Sequence, residues 1–150
     1  MPDPFPESGN GPTLTTTLVM RNSAGAETYR FGRGEIIYFE LTVLNRTHSV
    51  VKGSVGHEPS SDYLVYESDG NTLSWQWAEG KVTTAEAYSV TLQPGESKTF
   101  GVNWNQEMRN GRTLVPGIYQ ARGIAKFISE PRDLLTADDL RSALKEFRVD

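Results

Sequence analysis

Along most of this chain apolar residues return at every second position, and no other feature limits its fold as tightly. In "TLTTTLVMR", Leu14, Leu18 and Met20 share one side, while Thr15, Thr17 and Arg21 share the other. Successive side chains of a strand point to opposite faces, so this period predicts half-buried strands rather than helices. "EIIYFELTVLN" places Ile37, Phe39, Leu41 and Val43 on one side and a mixed set on the other, the pattern of a strand inside a sheet. "VVKGSVG" is a weaker strand, loosened by Gly53.

Turn signals separate the strands. "DYLVYES" and "NTLSWQW" flank Asp69-Gly70, which predicts a hairpin closed by a two-residue type I′ turn. That closure pairs Tyr66 with Leu73 and Leu64 with Trp75, and puts Leu64, Tyr66, Leu73, Trp75 and Trp77 on one face. "AYSVTL" and "SKTFGVNW" flank "QPGE", setting Tyr88, Val90 and Leu92 opposite Phe100, Val102 and Trp104. Pro116-Gly117 opens a long strand, "PGIYQARGIAKFI". Seven to eight strands, with turns roughly every 8 to 12 residues, predict an all-β fold, an antiparallel immunoglobulin-like β-sandwich. Only "TADDLRSALKEF" breaks the period. Thr136 reads as an N-cap, and Leu140, Ala143, Leu144 and Phe147 recur at helical spacing, so one short C-terminal helix is expected. A closing edge strand, "EFRVD", follows it.

Residues 1–12, "MPDPFPESGNGP", read as a flexible leader, and 13–150 as one domain. A chain trimmed just behind an export signal would begin the same way. An exported or periplasmic location therefore stands beside the cytoplasmic one. No apolar run approaches the roughly 18 residues of a membrane span. The net charge of −4 supplies no surplus cation for phosphates, which argues against a nucleic-acid partner and for solubility. With no cysteine, disulfides, thiolate metal sites and Cys nucleophiles are all excluded.

Chemistry-bearing motifs are few. His57 and Ser60 lie in one short loop beside Asp62, too close together to make a triad, and no GxSxG or phosphate loop is present. Two histidines, His48 and His57, without metal-ligand spacing do not make a metal centre. Asp133, Asp138 and Asp139 lack the calcium-loop order, and the last two sit where a helix dipole favours acids. Asn45-Arg46-Thr47 is a sequon without an implied role. No enzyme, cofactor or metal is indicated.

If each strand reverses the last, the turns at 46–49, 69–70 and 94–96 share one end of the sandwich. The long connections 22–35, 56–62, 78–87 and 105–117 share the other. Long loops on a rigid scaffold are where such domains carry recognition. His57, Glu58 and Lys81 stand in these loops. In "NQEMRNGRTLVPG", Met108 or Leu114 would suit a hydrophobic specificity pocket, and Arg109 or Arg112 a trypsin-like one. Asn110-Gly111 equally marks a plain hairpin turn. Trp75 reads as core, and Trp77, nearest the long loops, as partly exposed.

An ordered set of motifs resembles the BsuPI family of bacterial intracellular proteinase inhibitor domains. They are Val43-Leu44-Asn45 ending a strand, Asp62-Tyr63, Trp75 and Trp77, Pro94-Gly95-Glu96, Trp104 and Pro116-Gly117-Ile118-Tyr119. "KVTTAEAY" after the tryptophan pair and the C-terminal helix stand outside that pattern. The resemblance implies an immunoglobulin-like, non-enzymatic protein-binding domain whose partner is a serine protease. An exported adhesion-type module is one alternative. A carbohydrate-binding module using Trp77 or Trp104 is the other.

Overall fold

The computed structural model describes residues 8–10, 13–55, 59–79, 88–130, 135 and 137–150. Its strands are β1 (Ser8–Asn10), β2 (Leu14–Arg21), β3 (Arg30–Phe31), β4 (Ile37–Asn45), β5 (Val51–Val55) and β6 (Ser61–Glu67). Then come β7 (Leu73–Gln76), β8 (Tyr88–Leu92), β9 (Ser97–Trp104), β10 (Gly117–Ala125) and β11 (Ile128–Glu130). One helical turn, α1 (Ala137–Leu140), precedes β12 (Lys145–Val149). The sheets are ordered β1-β2-β4-β9, β3-β12-β10-β6-β7 and β11-β5-β8. Every pair among these strands is antiparallel except the short parallel β12–β3 contact. The first two sheets pack face to face as an immunoglobulin-like β-sandwich.

The period-two residues meet between the sheets. Leu14, Leu18 and Met20 of β2 and Ile37, Phe39, Leu41 and Val43 of β4 are all buried. From the facing sheet come Tyr63, Val65, Tyr119, Ala121, Ala125, Phe147 and Val149. The inner face of β10 is built from small residues because Leu18 and Leu41 press against it. A Cβ added to Gly123 would lie 2.5 Å from Leu41 Cδ1 and 3.5 Å from Leu18 Cδ1. Removing side-chain volume on one sheet lets the leucines of the other fill the space at close packing.

Three expectations need correction. The first is the hairpin after β6. Tyr66 pairs with Leu73, but Val65 pairs with Trp75 and Leu64 with Gln76, with a register shift between. The extra residue, Ser74, is buried and donates to Glu67 Oε1 at 2.9 Å. A one-residue bulge exchanges the faces of everything beyond it. Trp75 therefore joins Tyr63 and Val65 on the core side, while Leu73 stays outside with Tyr66. The turn is also not type I′. Gly70 has a φ of 69° and Asp69 is not in the positive-φ region. Asp69 Oδ1 instead accepts from Asn71 N (2.8 Å) and Thr72 N (2.9 Å), and Oδ2 from the Thr72 hydroxyl (2.7 Å).

Those bonds, Thr72's first, hold the Asp69 carboxyl below the usual aspartate range. A depressed folded value gives stability that is complete above the unfolded pKa of about 3.9 and lost as pH falls through the lower folded one. Asp69→Asn should therefore lower the melting temperature most near neutrality, and the gap to wild type should close below about pH 4. Parallel thermal melts across that range check it.

The second correction concerns β8 and β9, which are not a hairpin. β8 pairs with β5 and β9 with β4, so the 93–96 turn carries the chain between sheets. Buried Asn45 organises that corner. Its backbone N–H donates to Glu96 O (3.0 Å), and its carbonyl accepts from Gly95 N (2.9 Å). Its side-chain Nδ2 donates to Ser49 O (2.8 Å) and Leu92 O (2.9 Å). The turns at 46–49 and 94–96 thus share an end, as the sequence implies. The 68–71 turn does not join them. Glu67 pairs with Tyr119 near the start of β10, whereas Ser61 pairs with Ala125 at its end. The 59–60 segment follows Ser61 to that far end, with Lys126 N donating to Ser60 O. Strand β6 therefore runs in the opposite direction to the one the alternating count gives it.

Third, the C-terminal helix is not formed beyond the single turn of α1. Asp139 Oδ1 accepts from Thr13 N (2.8 Å) and Leu14 N (2.7 Å), Ser142 N donates to Gly123 O (2.9 Å), and Arg141 bridges to Ile124. Five residue pairs with β10 then draw Lys145–Val149 into the sheet. A twelve-residue helix is marginal in water, and a ladder that buries Phe147 and Val149 wins. Thr136 lies outside the described residues.

Candidate functional site

Strands β7 and β9 come last in their two sheet orders, and the segment leaving β9 rises beside them. It begins at Gln106, the one non-glycine among the described residues with positive φ, 68°. The side chain is fully buried. Its Oε1 accepts from Gly34 N at 3.0 Å, and its Nε2 donates to Gly32 O (2.8 Å) and Glu35 O (2.9 Å). On the returning arm, Leu114 N donates to Gln106 O at 2.9 Å. These bonds fasten the 105–116 segment to the 32–35 turn, so two long connections share an end as expected.

Above this base the segment is a hairpin. Glu107 bridges to Thr113, Met108 N donates to Arg112 O (2.7 Å), and Gly111 N donates to Met108 O (2.9 Å). Gly111 supplies the positive φ, 80°, that such a short loop needs. Asn110 Oδ1 caps it by accepting from Arg112 N at 2.9 Å.

The candidates divide accordingly. Arg109 and Arg112 are exposed at the tip, Arg109 in an ion pair with Glu79 at 3.0 Å. Met108 is half-buried against the core. Leu114 is fully buried, which removes it as a residue for another protein's pocket. Its apolar character serves the hairpin base instead. His57, Glu58 and Lys81 lie outside the described residues.

Between the hairpin and the edges of β7 and β9 lies a cleft of about 610 Å³, lined by Trp75, Trp77, Trp104 and Met108 among others. Trp104 is buried and stacks on Trp75 with centroids 4.2 Å apart and planes 15° apart. Phe39 backs both rings at 6.0 and 6.2 Å. Trp77 meets Tyr63 edge-on at 6.2 Å. Trp75 and Trp77 are both half-buried, and among the described strands β7 has a neighbour, β6, on one side only. The core reading of Trp75 thus holds for its stacked face, and the partial exposure expected of Trp77 extends to both.

Sequence reasoning gave Asp62 too little. This buried carboxylate accepts from Tyr63 N (2.8 Å), Ala78 N (2.9 Å) and Gln76 Nε2 (2.6 Å). It clamps the tryptophan segment to β6. An acid directly ahead of an inward aromatic at a strand start was the available signal. Burial pushes the Tyr63 hydroxyl up to about 12, against a smaller lowering from the Ser61 hydroxyl, so it stays protonated and structural. Among the described residues no three His, Asp or Glu side chains gather as a metal site would need.

The sequence model of the BsuPI family, described as intracellular proteinase inhibitor, matches residues 30–127. The chain belongs to the BsuPI family. That match takes in the hairpin, the cleft and Asp62, and leaves β2 and β12 outside it. The BsuPI motifs have structural roles here: Asn45 ties the two turns, Asp62 holds the Trp75–Trp77 segment, and Gly95 takes a φ of 78° in its turn. A comparison with curated protein sequences gave no match. Among solved structures, the BsuPI chain is similar to the CARDB domain of the PF1109 protein from Pyrococcus furiosus, crystallised with di-metal ions. Identity is 17%, the TM-score is 0.46, and 93% of this chain and 90% of that one are covered. It is also similar to part of a β-glucosidase from Listeria innocua, at 15% identity and a TM-score of 0.44. There 94% of this chain spans 17% of that one. Metal ions and glucoside hydrolysis are properties of those proteins.

Proposed function

We propose that this BsuPI domain binds a serine protease through the hairpin tip from Met108 to Arg112 and inhibits it without chemistry of its own. One observation carries the reading: residues 109–112 of the tip are exposed while its base is fixed by buried Gln106 and Leu114. A loop already held in one conformation loses little entropy on docking, and that saving appears as affinity. Backbone bonds across the tip would also hold both ends of a cut peptide together. Arg109 and Arg112 suit a carboxylate-floored specificity pocket. The Arg109–Glu79 pair is exposed, worth well under about 1 kcal/mol, and does not prevent Arg109 from turning to a partner. The family's description as intracellular favours a cytoplasmic target.

Titrating trypsin-like and subtilisin-like proteases with the purified domain tests this. Wild type should inhibit a trypsin-like enzyme stoichiometrically. The double substitution Arg109→Ala and Arg112→Ala should weaken inhibition by roughly 100-fold, as loss of an interface anchor does, with an unchanged melting temperature. Digestion of the domain, no inhibition, or inhibition indifferent to both arginines would reject the reading.

A further inference from the structure

The cleft beside the hairpin has a chemistry that protease binding does not use, and it does not depend on that reading. Its volume, about 610 Å³, falls within the roughly 300–1,000 Å³ usual for small-ligand sites. One wall is aromatic and fixed in place. Trp75 stacks on Trp104, Phe39 backs both rings, and Trp104 Nε1 donates to Glu107 O at 2.9 Å. Rings held this way have little rotamer freedom left to lose on binding.

The rest of the lining is polar and rich in acceptors. Gln76, Asn103 and Asn105 contribute amides, and Glu79 and Glu107 carboxylates. Arg109 is the one cation in the lining, and Glu79 neutralises it at 3.0 Å. Two acids against one base leave the cleft at a net −1, which opposes phosphorylated, sulfated or uronate ligands. An apolar ligand would strip water from six polar side chains without replacing their hydrogen bonds. A proline-rich peptide suits aromatic grooves but brings carbonyl acceptors and few N–H donors, so it would leave the carboxylates unpartnered. A neutral sugar meets both requirements: its C–H faces lie on the indoles and its hydroxyls donate to the amides and carboxylates.

We infer that this cleft is a binding site for a neutral oligosaccharide, with Trp77 and Trp75 as the platform and Asn103 as a hydroxyl contact. Tryptophan emission of the whole chain, titrated with neutral hexasaccharides of glucose and of N-acetylglucosamine, tests it. A hexauronate and a proline-rich peptide serve as comparisons. Expected is a saturable emission change with at least one neutral sugar and none with the hexauronate or the peptide. Trp77→Ala should abolish it. Because Trp77 also packs on Tyr63, the exposed Asn103→Ala is the second variant, expected to weaken binding about five-fold, the worth of one hydrogen bond, with unchanged far-UV dichroism. No saturable change with any neutral sugar, equal binding of the hexauronate, or preference for the proline-rich peptide would overturn the inference. Protease inhibition is read separately, so either result leaves the other standing.

Discussion

Phe39→Ala is expected to cost about 4 kcal/mol, the range for truncating a fully buried phenylalanine. Phe39 is 1% exposed, and three other rings rest on it: Tyr63 at 5.5 Å, Trp75 at 6.0 Å and Trp104 at 6.2 Å. Its cross-strand partners are Met20 of β2 on one side and Val102 of β9 on the other. Alanine therefore opens a cavity where the two sheets meet, with rings around it too rigid to collapse inward. Such cavities add to the lost transfer energy of the ring itself. For a domain of this size the melting temperature should fall by roughly 10 °C. Denaturant melts give the free energy directly. A loss under about 1.5 kcal/mol would mean the stack refills the space and is not the rigid centre described. The same variant should redden tryptophan emission, since Trp75 and Trp104 lose their common backing.

Gln106→Ala should cost about 2–3 kcal/mol and also disable the hairpin. The amide makes three bonds to the 32–35 turn, and removing it leaves Gly32 O, Glu35 O and Gly34 N to partly buried surroundings. Water reaches some of this turn, which keeps the sum below three full desolvation penalties. Backbone conformation offers a second readout. At a φ of 68° a side chain with a Cβ is strained by about 1 kcal/mol, so Gln106→Gly should be less harmful than Gln106→Ala by that amount. Both variants free the base of the loop and should weaken protease inhibition, although neither changes Arg109 or Arg112. Inhibition of wild-type strength by a destabilised Gln106→Ala would show that the tip does not depend on its base.

The hairpin shows how far local reading reaches. Asn110-Gly111 marked a turn, and a turn is there, because the positive φ is a local requirement met by a local residue. Gln106 carried no such mark. Its role comes from three backbone groups more than seventy residues earlier in the chain. Leu114 shows the opposite failure. A leucine in a polar loop looks available to a partner, and only the packed arrangement shows it to be the anchor of the arm.

The alternation of Ile37, Phe39, Leu41 and Val43 specified by itself a strand with one face buried, since a period of two puts every apolar side chain on the same side of a sheet. The same holds for the turns at Gly70, Gly95 and Gly111 and for the motifs that mark the family. Which edges meet was decided by tertiary structure. The Ser74 bulge separated Leu73 from the core face that Trp75 keeps, β8 left β9 for β5, and the helical pattern after Thr136 gave way to a strand on β10. In each case a local preference worth a few tenths of a kcal/mol per residue competed with burial worth roughly 1.5–3 kcal/mol per large side chain. Burial is settled by residues distant in the sequence. The cleft is the clearest product of that difference: the sequence supplied its tryptophans, but only the place of β7 at the end of its sheet order goes with Trp75 and Trp77 standing half-covered beside an open space.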